Sequence, residues 1–135
     1  MTLSAFVGSW HRHVTGAEFQ ADGTGTYRTR AAILPDGRQV EEERNLALTV
    51  GPTGSSLDAK VISVRFVAVN GEGAESPSAD PSPNESATAG DTIRYSIEHP
   101  GVLHGVGIHG THPELLEEHL CNDSASSEDA QVCGA

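Results

Sequence analysis

The chain has 135 residues and a formal net charge of −11 at pH 7. This length predicts one domain with a single core, and the negative charge makes nucleic acid and anionic membranes poor partners. No apolar run reaches the roughly 20 residues of a helical membrane span, so an integral membrane protein is excluded. The charge is uneven, because residues 70–135 carry twelve acids and a single base, Arg94.

Apolar residues recur at every second position through most of the chain, which predicts strands rather than helices. Gly, Pro and Asp stand between these segments, where tight turns favour them. The short connections predict an all-β fold, an antiparallel meander of about seven to eight strands that forms a barrel; a sandwich is the alternative. Seven strands are predicted: Phe6–Val14, Glu18–Ala21, Gly25–Ile33, Arg38–Val50, Leu57–Val69, Asp91–His99 and Val102–His109.

Two later segments interrupt the strand pattern. Gly71–Gly90 is acidic, rich in Pro and Ser and without a large apolar residue, so a mobile loop is predicted there. Further on, Thr111 and Glu114 fit a capping box, and Pro113 suits the first turn of a helix. With the leucines that follow, they predict one short helix over Pro113–Cys121 that packs outside the sheet or across one of its ends.

Cys121 and Cys133 are the only cysteines, and eleven residues separate them. A disulfide between them would tie residues 122–135 to the fold and suits an oxidising compartment; two free thiols in a cytosolic protein are the alternative. The first residues lack the basic region and apolar stretch of a signal peptide. An extracytoplasmic or secreted location, which we favour, therefore requires a leader that is absent from this chain.

Seven histidines raise the question of a metal site. His11 and His13 are two apart on a predicted strand and share a face, an arrangement that can hold zinc. A third ligand would have to come from His104, His109 or His112, and no compact Cys/His quartet is present. Surface histidines without a metal are the favoured interpretation.

Glu42 and Arg44 lie on the same strand face as several apolar residues. A charged pair on an apolar face marks either a polar cluster that orients a ligand inside a barrel or a strand end in solvent. The four residues from Glu41 to Arg44 are all charged, which favours the solvent-exposed alternative.

Gly8-Ser9-Trp10 on the first strand is followed by a glycine-rich turn that leads into Gly25-Thr26-Tyr27. This combination resembles the opening of lipocalin-like and avidin-like barrels, in which the first-strand Trp closes or lines one end of the barrel. The resemblance implies an interior ligand site. The residues that we predict to bind a ligand are Trp10, Tyr27, Arg44 and Tyr95, and core packing is the default alternative for the aromatic ones.

The end of the chain carries Leu120-Cys121 and then Val132-Cys133-Gly134-Ala135. This layout is similar to small exported actinobacterial proteins of unknown function, which also have a G-x-W strand and a central strand like Lys60–Phe66. An extra cysteine pair that some of those proteins carry is missing here. The resemblance implies a fold and a compartment but no activity.

The sequence contains no nucleophile elbow, phosphate loop or dinucleotide fingerprint, so no cofactor is expected. The hypothesis adopted is a non-catalytic exported barrel that binds a small apolar ligand or an envelope partner protein. The alternative is a cytoplasmic, cofactor-free barrel enzyme, such as a cyclase that folds a polyketide in an apolar cavity. A histidine metal-binding protein is the third hypothesis.

Overall fold

The structure is a computed structural model that describes residues 3–70, 75–77 and 87–134. Within these ranges the strands are β1 Gly8–Arg12, β2 Thr15–Phe19, β3 Thr24–Ile33, β4 Gln39–Val50, β5 Ser56–Val69, β6 Glu75–Pro77, β7 Thr92–His99, β8 Val102–His109 and β9 Glu118–Cys121. The helical segments of the described ranges are short 3-10 turns at Leu3–Ala5, Pro113–Leu116 and Asp129–Cys133. None of them is long and apolar enough to cross a membrane.

Eight strands close into an antiparallel barrel. Around the barrel they follow the order β1-β2-β3-β4-β5-β7-β8-β9, and the ring closes where His11 of β1 pairs with Cys121 of β9. β6 lies outside this ring and pairs with the last three residues of β5. The predicted all-β antiparallel barrel is therefore confirmed.

The first two predicted strands form a hairpin with different bounds, and the second of them is Thr15–Phe19 rather than Glu18–Ala21. The segment Phe6–Val14 forms β1 only over Gly8–Arg12, and the chain then turns through His13 and Val14 into β2. Val14 has a φ of 53°, the left-handed geometry that two-residue hairpin turns use. That backbone is strained for a β-branched residue, and this is why the sequence pattern did not indicate a turn there.

Alternation decides which side chains fill the barrel. In β4 every second residue from Val40 to Leu48 is buried, and the residues between them are more exposed. A β-bulge after Asn45 shifts the register against β5, which adds the local twist that closure of a barrel requires. The unpaired residue of this bulge, Ile62, is on β5, so the inward row of β4 is uninterrupted.

The apolar core is dense around Tyr95. Tyr95 is fully buried, and its ring centroid lies 5.5 Å from that of Phe19. Gly105 of β8 faces this ring: a Cβ atom at Gly105 would lie 2.5 Å from Cε1 of Tyr95. A side chain at position 105 would therefore displace the tyrosine ring.

The helix predicted over Pro113–Cys121 is wrong. Pro113–Leu116 forms one 3-10 turn, and Glu118–Cys121 is strand β9. This segment forms a strand because β9 lies between β1 and β8 and supplies hydrogen-bond partners for the backbone groups at the edges of both strands. Leu116 and Leu120 are buried in the core, as expected for the apolar side of the predicted helix. They lie in the 3-10 turn and in the strand, however, and not on one face of a helix.

The tail is attached to the two strands that close the barrel. The sulfur atoms of Cys121 and Cys133 lie 1.99 Å apart, at disulfide distance, as predicted. Both cysteines pack with Val102 and Ala125 in a small cluster separate from the main core. The backbone N–H of His13 also donates to the Cys133 carbonyl at 2.9 Å, so the tail holds the end of β1 as well as β9.

The predicted loop Gly71–Gly90 is described only in part. Residues 71–74 and 78–86 of this loop lie outside the described residues. Glu75–Pro77 forms β6 against β5, a strand that the sequence analysis did not predict. The chain is described again from Ala87, which is buried in the core.

Candidate functional site

A cavity of about 390 Å³ lies at the end of the barrel where β1 turns into β2. This volume is in the range of small-molecule sites. Half of its twelve lining residues are charged: Arg12, Arg30, Glu42, Arg44, Glu117 and Glu118. Four others form an apolar part of the wall: Val14, Ala31, Leu115 and Leu116.

Strand register gathers the polar side chains at this end. One row of cross-strand neighbours runs through Arg12, Thr15, Thr29 and Glu42. The next row runs through Trp10, Ala17, Tyr27 and Arg44. The third row is apolar and contains Phe19 and Leu46. The interior therefore changes from charged near the cavity to apolar in the third row, four residues deeper along each strand.

Glu118 is the centre of the buried polar network. Its Oε1 accepts hydrogen bonds from the Tyr27 hydroxyl at 2.5 Å and from Nε of Arg12 at 3.0 Å. Its Oε2 accepts a hydrogen bond from the Tyr95 hydroxyl at 2.6 Å. Because the side chain is only 5% exposed, these three donors offset the cost of burying a carboxylate.

Glu42 and Arg44 form a second buried pair. Nε of Arg44 donates to Oε2 of Glu42 at 2.7 Å, and the same oxygen accepts the backbone N–H of Ala87 at 3.0 Å. The Arg44 guanidinium lies over the Tyr27 ring, 4.1 Å from its centroid, in a cation–π contact. Tyr27 therefore connects this pair to Glu118.

The solvent-exposed interpretation of Glu42 and Arg44 is wrong, because their exposed fractions are 3% and 6%. The charged run alternates across the sheet, so Glu41 and Glu43 take the opposite face. There both acids form ion pairs with Arg28 of β3, and the pair with Glu41 measures 2.8 Å. Four consecutive charges thus divide between the interior and the surface.

The tyrosine hydroxyls stay protonated at neutral pH. Burial, followed by the charge of Glu118, raises the pKa of Tyr27 and of Tyr95 above the usual value near 10. The Arg44 charge opposes this rise at both tyrosines. Burial alone would lower the pKa of Arg12, but Tyr27 and Glu118 raise it overall. The network therefore consists of one guanidinium group and two hydroxyl groups that donate hydrogen bonds to the carboxylate of Glu118.

The four predicted ligand-binding residues take three different places. Tyr27 and Arg44 line the cavity. Tyr95 lies in the core and reaches Glu118 from that side. Trp10 is packed in the core, where its Nε1 donates to the Phe6 carbonyl at 2.8 Å. The indole is therefore part of the core rather than of the cavity wall.

Sequence analysis missed Arg12 and Glu118. Arg12 follows Trp10 by two residues and shares its inward face, which was a usable signal. Glu118 lies midway between Leu116 and Leu120, so a spacing of two also placed it on an apolar face. That signal was lost because the segment was predicted to be helical.

The predicted metal ligands His11 and His13 are not brought together with a third ligand among the described residues. His11 is exposed on β1, and His13 lies in the hairpin turn. One group of three ligand-type side chains does occur in the described ranges: Glu98, His104 and His119, whose ligand atoms all lie within 4.8 Å of one another.

Comparison of the chain with protein-family models, with curated proteins and with solved structures finds no match. The resemblances noted in the sequence stay predictions, and the geometry of the cavity carries the functional argument.

Proposed function

We propose that this protein is a non-catalytic barrel that binds a small amphipathic molecule with an anionic group in the cavity beside Glu118. The composition of the wall carries this proposal. Three arginines, Arg12, Arg30 and Arg44, line one cavity of small-molecule size next to an apolar strip. Guanidinium groups match carboxylate-type anions in geometry and charge.

Two of the three arginines already neutralise acids of the wall, because Arg44 is paired with Glu42 and Arg12 with Glu118. Glu117 is turned toward His104, with its Oε2 at 2.8 Å from Nε2. By contrast, Arg30 forms no ion pair within the part of the chain that the structure describes.

The apolar strip accounts for the other end of the ligand. Leu115 and Val14 are 52% and 43% exposed, and both line the cavity. Covering such surface is favourable by roughly 25 cal/mol per Å². The wall thus narrows the sequence-based hypothesis of an apolar ligand to a molecule with one apolar and one anionic end.

The bonding of Glu118 supports binding rather than the enzyme alternative. A general base takes a proton from the substrate through a lone pair that faces it. Glu118 uses three of the roughly four lone-pair sites of a carboxylate for hydrogen bonds, and two of the donors are buried tyrosines. Use of Glu118 as a base would break bonds that hold the interior together.

We also propose an extracytoplasmic location. The disulfide-distance pair Cys121–Cys133 is compatible with an oxidising compartment. The predicted envelope partner protein is a second occupant for the same surface, but the volume of the cavity, about 390 Å³, favours a small molecule.

The probe anilinonaphthalene sulfonate, an aromatic dye with one anionic group, tests the proposal. We expect one dye to bind per chain with a rise in fluorescence. Arg30→Ala removes a cation and Leu115→Asp places a charge on the apolar strip, so each is expected to weaken binding about tenfold, the equivalent of roughly 1.4 kcal/mol.

Arg38→Ala removes a partly exposed cation that is paired with Asp36, and Ile33→Asp places a charge on an exposed apolar residue, both outside the cavity. They are expected to change dye affinity by less than about twofold. Wild-type protein that binds no dye, or equal binding by all four variants, would contradict the proposal. Equally tight binding of the uncharged phenylnaphthylamine would remove the anionic requirement.

A further inference from the structure

Two histidines stack on the outer surface of the barrel, away from the cavity interior. His104 of β8 and His119 of β9 are direct register partners. Their ring centroids are 4.6 Å apart, and their planes differ by 11°. Glu98, near the end of β7, places its Oε2 at 3.6 Å from Nδ1 of His104 and 3.3 Å from Nε2 of His119.

A second carboxylate orients one of these rings. Oε2 of Glu117 lies 2.8 Å from Nε2 of His104. When Nε2 carries the proton and donates to Glu117, the lone pair of Nδ1 faces the carboxylate of Glu98. Two electron-rich atoms in that arrangement attract a cation between them. Carboxylate–histidine pairs of this kind orient the metal-binding histidines of known sites.

The charge of the patch points the same way. With neutral imidazoles, Glu98 and Glu117 give it a charge of −2, and no lysine or arginine among the described residues is paired with either acid. The net charge of −11 on the whole chain raises the local concentration of cations further. A divalent ion would neutralise the two carboxylates.

We propose that Glu98, His104 and His119 bind a divalent transition-metal ion, with Zn²⁺ as the best match. Two imidazole nitrogens and one carboxylate oxygen suit Zn²⁺, whereas Mg²⁺ and Ca²⁺ prefer oxygen ligands alone. The separations of 3.3 and 3.6 Å are close to the ligand spacing of about 3.4 Å around a tetrahedral zinc ion with bonds of about 2.1 Å.

Binding requires the two rings to rotate until both lone pairs point at the ion. Each histidine side chain is 30% exposed, which leaves room for this rotation. The bound ion would join β7, β8 and β9, and β9 is the strand that closes the barrel. Zinc should therefore raise the thermal stability of the whole chain by mass action.

Calorimetric titration of the full chain with zinc chloride tests the site. We expect one zinc ion per chain and a rise in the unfolding temperature. Glu98→Gln and His119→Ala each remove a ligand and are expected to weaken binding about 100-fold or more, whereas Glu117→Gln removes only orientation and is expected to cost about tenfold.

The matched control is the double variant His11→Ala with His13→Ala, which removes two histidines elsewhere and should leave zinc affinity unchanged. Because Glu98 is exposed, Glu98→Gln keeps the test decisive if His119→Ala fails to fold. Wild-type protein without zinc binding, or unchanged affinity in Glu98→Gln, overturns the proposal. Loss of binding only in the double variant would place the metal at His11 and His13 instead.

Discussion

Replacing Glu118 with alanine is expected to lower the free energy of unfolding by about 3–5 kcal/mol. The substitution leaves the hydroxyls of Tyr27 and Tyr95 without their acceptor inside the barrel. Each unsatisfied buried donor costs about 1–3 kcal/mol. Arg12 also loses its counter-charge, but its side chain is 37% exposed, and water offsets much of that loss.

Urea unfolding followed by circular dichroism measures this effect. Glu117→Ala is the matched control, because the neighbouring acid is 61% exposed and its loss is expected to change stability by less than about 0.5 kcal/mol. Glu118→Gln keeps the shape and one acceptor, so an intermediate loss is expected. Equal stabilities of the Glu118→Ala and Glu117→Ala variants would contradict the central role of Glu118.

Removing the link between Cys121 and Cys133 is expected to cost about 3 kcal/mol, since the cross-link restricts the unfolded chain. The two cysteines are 12 positions apart, and the segment between them makes few other backbone bonds to the barrel, one of them from the Asn122 N–H to the Gly101 carbonyl. Without the link, the tail that connects β1 and β9 is free to separate from the barrel.

The double variant Cys121→Ala with Cys133→Ala measures this cost at equilibrium. Dithiothreitol should lower the stability of the wild type by the same amount and leave the double variant unchanged. A wild-type protein whose urea midpoint is the same with and without reductant would show that the cross-link contributes nothing.

The sequence predicts the strands well where alternation is long. β3, β4 and β5 span ten or more residues each, and over that length a period of two cannot be confused with a helix. β9 has only four residues, and the spacing of four between Leu116 and Leu120 fits both periods. What favours a strand over a helix in this segment is its pairing with β1 and β8. Both strands are distant in the sequence or outside the segment, so no local pattern indicates this pairing.

The candidate site depends even more on distant pairs. Tyr27 and Arg44 could be predicted because both stand on alternating strands, but their partner Glu118 lies far along the chain. Arg12 and Glu118 are separated by 106 positions. Glu42 and Arg44 face the interior rather than solvent, and the register of β3 on β4 sets Thr29 beside Glu42.

Ionisation of tyrosine at alkaline pH reports on this interior, because the chain has only two tyrosines and both donate to Glu118. Their pKa values are raised in the folded protein, whereas in the unfolded chain they ionise near 10. The folded state therefore holds more protons above pH 10. The stability that this contributes is complete below pH 10 and falls above it, by about 1.4 kcal/mol per pH unit for each tyrosine.

Tyrosinate absorbance measured against pH, with circular dichroism on the same samples, tests most directly whether the barrel encloses this network. We predict no tyrosinate at about pH 11 as long as the dichroism is native, and ionisation of both tyrosines together when the barrel unfolds. Tyr27→Phe should halve the absorbance change. Ionisation of either tyrosine near pH 10 in a protein with native dichroism would contradict the account.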